Sequence, residues 1–190
     1  MELPQLKEII TPFNDDVIAS LGMGEEIALS GKIYTARDAA HKRIAELIED
    51  GAAPPFDFAG QAVFYAGPSP AKPGKTIGAV GPTTAGRMDK YSPLFIERGL
   101  KVMIGKGNRS REVIDAIVKH SGLYLAAIGG AAALMAGCVK SAKLIAFPDL
   151  GTEAVLELLV EKLPLIVAID SKGKNLFARE GLDGGIHPAL

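Results

Sequence analysis

The chain has 190 residues, 48% of them hydrophobic and 23% charged, a balance suited to one globular domain with a sizeable core. A formal net charge of −1 argues against a nucleic-acid surface as the main function, although 21 basic side chains leave room for a local anion site. No run approaches the ~20 uninterrupted apolar residues that span a bilayer, and Met1-Glu-Leu-Pro-Gln-Leu-Lys lacks the layout of a secretory signal, so the expected setting is cytoplasmic, without a membrane partner.

In chain order, Leu6 to Ile10 reads as extended, Pro12 as a break, and the next residues as a short helical turn capped by Asn14 or Asp15. Glu26 to Leu29 is a second extended piece. Ala36, Ala40, Ile44, Leu47 and Ile48 recur at helical spacing and predict a helix over Thr35 to Glu49, stopped by Gly51. Ala52-Ala-Pro-Pro-Phe-Asp is a linker, Gln61 to Tyr65 a strand, and Gly67-Pro-Ser-Pro-Ala-Lys-Pro-Gly a loop.

From Thr76 onward the pattern becomes strand, turn, helix. Thr76 to Val80 is expected to lead into a helix near Thr84 to Arg98, and Leu100 to Ile104 into one near Arg111 to His120. Leu123 to Ile128 leads into Gly129-Gly-Ala-Ala-Ala-Leu-Met. Leu144 to Phe147 leads into a helix near Thr152 to Lys162, and Leu165 to Ile169 closes the series. Such alternation implies an α/β domain with parallel or mixed sheet under helices. Extended segments in the first third add a second sheet layer to that helix layer. Residues 1–190 form one domain, polar from about residue 171, with Ser171-Lys-Gly-Lys-Asn as a hairpin turn.

Cys138 is the single cysteine, so the chain forms no internal disulfide and cannot hold an iron–sulfur cluster on its own thiolates. Its apolar setting favours a buried structural thiol. His41, His120 and His187 show no helical metal-site spacing.

Two phosphate-loop candidates fail on inspection. Gly74-Lys75-Thr76 has Ser69 where a Walker A loop needs glycine, and Thr76 opens a strand rather than a helix. Gly105-Lys-Gly-Asn-Arg-Ser has Ser110 where a dinucleotide turn needs its third glycine. It reads as a tight turn with Ser110 or Asn108 capping the next helix.

Three cations stand out by their position. In Thr35-Ala-Arg-Asp, Thr35 and Asp38 have capping-box spacing, but Arg37 opposes the helix dipole unless it faces an anion or simply solvent. Gly81-Pro-Thr-Thr-Ala-Gly-Arg-Met-Asp sets Thr83, Thr84 and Arg87 beyond an apolar run, where open α/β sheets bind ligands. Lys106 lies between two glycines, a placement equally typical of a solvated turn. Together the three favour a small substrate with two carboxylates, since a guanidinium fork fits a carboxylate bidentately.

Thr35-Ala-Arg-Asp-Ala-Ala-His-Lys-Arg, Tyr65-Ala-Gly-Pro, Gly81 to Asp89 and Met103-Ile-Gly-Lys-Gly occur in the order seen in one family. Over most of its length the chain resembles the β-subunit, or C-terminal domain, of class I fumarases and L-tartrate dehydratases. The resemblance implies a swivelling β/β/α domain and an α-subunit partner carrying a [4Fe–4S] cluster on three cysteines, hence a hetero-oligomer. It implies that Arg37, Arg87 and Lys106 hold malate or fumarate, and that one of Thr83 and Thr84, with Thr83 preferred, is the catalytic base beside an Asp of the partner. For His41, on the helix flank, and Asp38, as cap or brace for Arg37, it leaves structural roles. The expected activity is reversible hydration of fumarate to (S)-malate. The alternatives are a tartrate dehydratase or mesaconate hydratase subunit and, in another class, a stand-alone anion- or nucleotide-binding module.

Overall fold

A computed structural model describes residues 6–71, 73–127 and 132–178; Ile128 to Ala131, His187 and the rest of the tail lie outside them. The elements in order are β1 (Lys7–Ile10), α1 (Asp15–Ala19), β2 (Glu26–Thr35), α2 (Asp38–Glu49), β3 (Ala62–Phe64), a 3₁₀ turn (Ala85–Met88) and α3 (Ser92–Glu97). There follow β4 (Val102–Gly105), α4 (Arg111–His120), β5 (Leu123–Ala126), α5 (Ala132–Gly137), β6 (Val139–Ala146), a 3₁₀ turn (Pro148–Glu153) and β7 (Val155–Ile169). The α/β class with mixed sheet and a helix layer is what the sequence implies.

The seven strands form one sheet that closes on itself. β2, β3, β4 and β5 run parallel in that order, and β7 runs antiparallel to both β5 and β2, joining the two ends. β1 extends the first half of β2 in parallel, and β6 lines the first half of β7 antiparallel.

Strand alternation divides the core in two. Ala62, Phe64, Val102, Ile104, Leu123 and Leu125 point into the closed sheet, with Ile27, Leu29 and Ile33 of β2 and Leu158, Leu163 and Val167 of β7. Val63, Met103 and Tyr124 point the other way, against Ala40, Ile44 and Ile48 of α2, Phe95 of α3 and Ile117 of α4. Strands buried on both faces explain the unbroken apolar runs of β3, β4 and β5. Each such Val, Leu or Ile contributes roughly 1.5–3 kcal/mol when buried.

Several expectations need correction. Residues Thr152 to Lys162 are not a helix: from Val155 they belong to a 15-residue strand that continues through Ile169. Leu158 and Val160 are buried on one side of Lys162, and Leu163, Leu165 and Val167 on the other. That change of parity needs one extra residue. Lys162, at φ +51°, supplies it where the register with β2 shifts between Leu29 and Gly31. Spread over a bulge, the period of two imitates helical spacing. Thr76 to Val80 is not a strand either: it folds back over the preceding loop, Ser69 N–H donating to Ala79 and Gly78 N–H to Ser69.

The helix expected over Thr84 to Arg98 divides into the Ala85–Met88 turn and α3, because Pro93 lacks an N–H and fits only the first turn of a new helix. The capping box is absent. Thr35 ends β2 and its hydroxyl accepts from Leu156 N–H, so α2 starts at Asp38 with Arg37 as its N-cap. Asn14 does cap α1, accepting from Val17 N–H at 2.8 Å. At the other end, Asp170 and Lys174 close the expected hairpin turn.

Candidate active site

β2, β3 and β4 end side by side; Arg37 and Lys106 lie just past the ends of β2 and β4, and Arg87 on the 3₁₀ turn Ala85–Met88 that follows the two threonines. Beyond β2, Arg37 lies across Gly67, where an added Cβ would stand 2.8 Å from the Arg37 Cδ and 2.8 Å from the Thr152 carbonyl oxygen. Glycine at 67 is therefore a requirement of close approach. Beyond β4, Lys106 bridges Thr84 in parallel, with Ala85 N–H donating to its carbonyl at 2.9 Å and its own N–H donating to Thr83 at 3.3 Å. Beyond β3, the Tyr65 carbonyl accepts from Thr83 N–H at 2.6 Å. The two threonines are thus held between the ends of β3 and β4, Thr83 half-buried and Thr84 exposed.

One carboxylate joins the arginines. Asp38 Oδ1 pairs with Arg87 Nε at 2.8 Å, while Asp38 Oδ2 faces Arg37 Nε at 3.8 Å. Asp38 is therefore chiefly the brace of Arg87. Glu153, which the sequence reading missed, lies 3.6 Å from Arg37 Nη2 and accepts from Ala39 N–H at 2.9 Å, capping α2 from another segment. Arg37 Nε and Asp38 Oδ2 are buried and lack hydrogen-bond partners, so this cluster holds unspent polar capacity. Among the described residues no carboxylate is within ion-pair distance of Lys106, which is exposed.

Beneath these groups lies a layer that the sequence did not reveal. His41 is fully buried between Tyr65 and Phe95, each 5.1 Å away by ring centroids, and its Nδ1 is 2.9 Å from the Arg37 carbonyl. Burial pushes its pKa down to about 4, with Arg109 adding to the effect, so the ring is neutral at pH 7. It sits inside the helix–sheet core rather than on a helix flank. Arg109 is 4% exposed. Its Nε donates to Asp89 at 2.7 Å, its Nη2 to Ser92 at 2.7 Å, and its guanidinium stacks 5.0 Å from the Tyr124 ring centroid. Burial works against that charge, but Tyr65 and Asp89 outweigh it and hold the guanidinium above its ordinary pKa. The sequence reading does not single out Arg109, which lies inside Gly105-Lys-Gly-Asn-Arg-Ser.

The helix after this turn is capped by neither expected residue side chain. Ser110 is the N-cap without a side-chain bond, and its N–H donates to Asp89 at 2.6 Å; Asn108 accepts instead from Arg109 N–H and Asn175. A turn so engaged leaves little for a nucleotide phosphate. Cys138 is half-buried, and burial raises its pKa. Among the described residues no three His, Cys, Asp or Glu side chains could hold a metal ion, and no helix is long and apolar enough to cross a membrane.

The chain is similar to several known proteins. The chain is 41% identical over 159 residues to fumarate hydratase 2 of Leishmania major, covering 83% of itself and 28% of that protein. It is 38% identical over 174 residues to the aerobic class I fumarate hydratase of Escherichia coli K12, covering 90% of itself and 31% of the relative. The chain thus spans about a third of the length of these two relatives. To the "Putative L(+)-tartrate dehydratase subunit beta" of Methanocaldococcus jannaschii it is 39% identical over 166 residues, covering 84% of itself and 85% of that protein. Residues 5–180 match the family model described as Fumarase C-terminus, a span that takes in every strand and all five candidate residues, and the chain belongs to that family.

Proposed function

We propose that this chain is the β-subunit of a [4Fe–4S]-dependent class I fumarate hydratase, supplying the groups that bind the substrate carboxylates and move its proton. One observation carries the reading: Arg37 and Arg87 converge on the Asp38 carboxylate beside the Thr83–Thr84 segment that Lys106 pins. Two guanidinium forks and one ammonium suit a C4 dicarboxylate with a hydroxyl.

In this mechanism Arg37 and Arg87 bind and orient the carboxylates, and Lys106, a point charge on a flexible stem, holds a carboxylate or the hydroxyl. In the dehydration direction a threonine oxygen, that of Thr83 in preference to Thr84, takes the C3–H proton as its own proton passes to an Asp of the partner; the C2–O bond breaks, and the hydroxide takes up that proton to leave as water. A threonine hydroxyl is a weak base, so it needs the neighbouring cations and an Asp from the partner to accept that proton. The residues of this chain do not fit a cluster, since Cys138 is its single cysteine. The proposal therefore assigns the [4Fe–4S] group to three cysteines of an α-subunit in a cytoplasmic hetero-oligomer.

A tartrate dehydratase subunit is the second reading, favoured by the relative that this chain covers nearly end to end. The test is anaerobic co-expression with a chain carrying three cluster cysteines, cluster reconstitution, and absorbance assay of fumarate formation from (S)-malate. Turnover that requires both chains supports the hydratase reading. Turnover of tartrate but not malate moves the assignment to the second reading, and silence with every diacid despite an intact cluster overturns both.

A further inference from the structure

The candidate site rests on residues that touch no substrate, and one of them links the Lys106 turn to the Thr83–Arg87 segment. Arg109 lies three residues after Lys106, and its Nε binds Asp89, two residues after Arg87. Its Nη2 is 3.4 Å from the Tyr65 hydroxyl, and the carbonyl of Tyr65 holds Thr83. Tyr124 stacks on the same guanidinium and donates its hydroxyl to the Gly107 carbonyl at 2.9 Å, fixing the turn next to Lys106. Asp89 also accepts from Ser110 N–H, which ties the far side of that turn to the Arg87 segment.

We infer that Arg109, working with Tyr124, is a positioning residue for the proposed hydration, clamping the Lys106 turn against the Thr83–Arg87 segment. The inference rests on the hydratase reading for its consequence but on the buried clamp for its geometry. A core cation of purely structural purpose would need one counter-charge. This one spreads its donors over Asp89, Ser92, Tyr65 and the Met103 sulfur, and so fixes orientation as well as charge. Lysine has a single ammonium and cannot reproduce that fork.

The first test is Tyr124→Phe, a conservative loss of one hydroxyl, in the assembled enzyme. Tyr124→Phe should lower kcat/KM for (S)-malate roughly 10-fold, chiefly through kcat, since misplacement of about 1 Å costs up to ~100-fold. In a Lys106→Ala background the same change should cost less than about 2-fold, because the side chain it positions is gone. Equal losses in both backgrounds, or an unchanged kcat in Tyr124→Phe, overturn the inference while leaving the hydratase reading intact. A second readout needs no turnover: in the full chain alone, Arg109→Lys should speed amide hydrogen exchange at Ala85, Lys106 and Ser110 at least ~10-fold more than at Leu29 and Ile33 of β2. Unchanged relative protection at those three amides overturns the clamp even if the enzyme is silent with every diacid.

Discussion

Lowering the pH should destabilise this chain through His41, and the size of the effect follows from its burial. The ring has no exposed surface; burial lowers its pKa from 6.5 to about 4, Arg109 adds to the lowering, and Asp38 and the Arg37 carbonyl oppose it. Its Nε2 has no hydrogen-bond partner, so protonation would bury an unpaired charge. The unfolded chain takes the proton first. The neutral ring's contribution is therefore complete above about pH 6.5 and is lost as pH falls toward 4. Linkage over that interval gives roughly 2 kcal/mol lost between pH 7 and pH 5, and about 3 kcal/mol in all. His41→Leu keeps an apolar side chain of similar bulk in the same space. The Arg37 carbonyl retains the His41 backbone N–H at 2.7 Å, so the variant should stay within ~1.5 kcal/mol of the parent at pH 7. Urea unfolding of the full chain at both pH values measures the difference. The parent should lose about 2 kcal/mol more than His41→Leu on acidification; equal losses would refute the account of a neutral buried ring.

Other expectations concern the site and its support. Arg87→Ala in the assembled enzyme should cost kcat/KM ~2–5 kcal/mol, with little change in the melt because its side chain is 52% exposed; full activity would remove Arg87 from the site. Gly67→Ala should push Arg37 or the Thr152 carbonyl aside, raising KM and lowering stability by roughly 1–3 kcal/mol in chemical denaturation. Asp89→Asn leaves the Arg109 cation buried without its counter-charge and should destabilise the chain by ~3–5 kcal/mol, read from urea midpoints; a neutral result would mean that water replaces the carboxylate.

The sequence displayed the elements whose periodicity is local. α2 follows from apolar spacing and the Gly51 stop, and β4, α4 and β5 from the alternation of short apolar runs, turns and helical stretches. It concealed β7 for a long-range reason. That strand is defined by pairing with β2, β5 and β6, and its bulge at Lys162 keeps Leu158 and Leu163 on one face where the register with β2 shifts. Nothing in residues 152–162 records those partners, so local spacing imitated a helix. Closure of the sheet is hidden likewise, because the β2–β7 seam joins residues separated by more than a hundred positions.

In the site the division follows charge. Arg37, Arg87 and Lys106 were visible because each cation stood where a strand end or a helix start gives it no local reason to be. Their counter-charges were visible only in part: Asp38 was expected beside Arg37, but it reaches Arg87 and Glu153 reaches Arg37 from positions distant in sequence. These partners have a physical purpose in the proposed enzyme. Three cations gathered at one set of strand ends repel one another, and Asp38 and Glu153 relieve that while the site is empty. An incoming diacid would then exchange carboxylate for carboxylate at the arginines, changing the local charge less than binding to bare cations would. Lys106, free of any ion pair among the described residues, offers the first unshared positive charge, and the clamp beneath it fixes the turn that carries it.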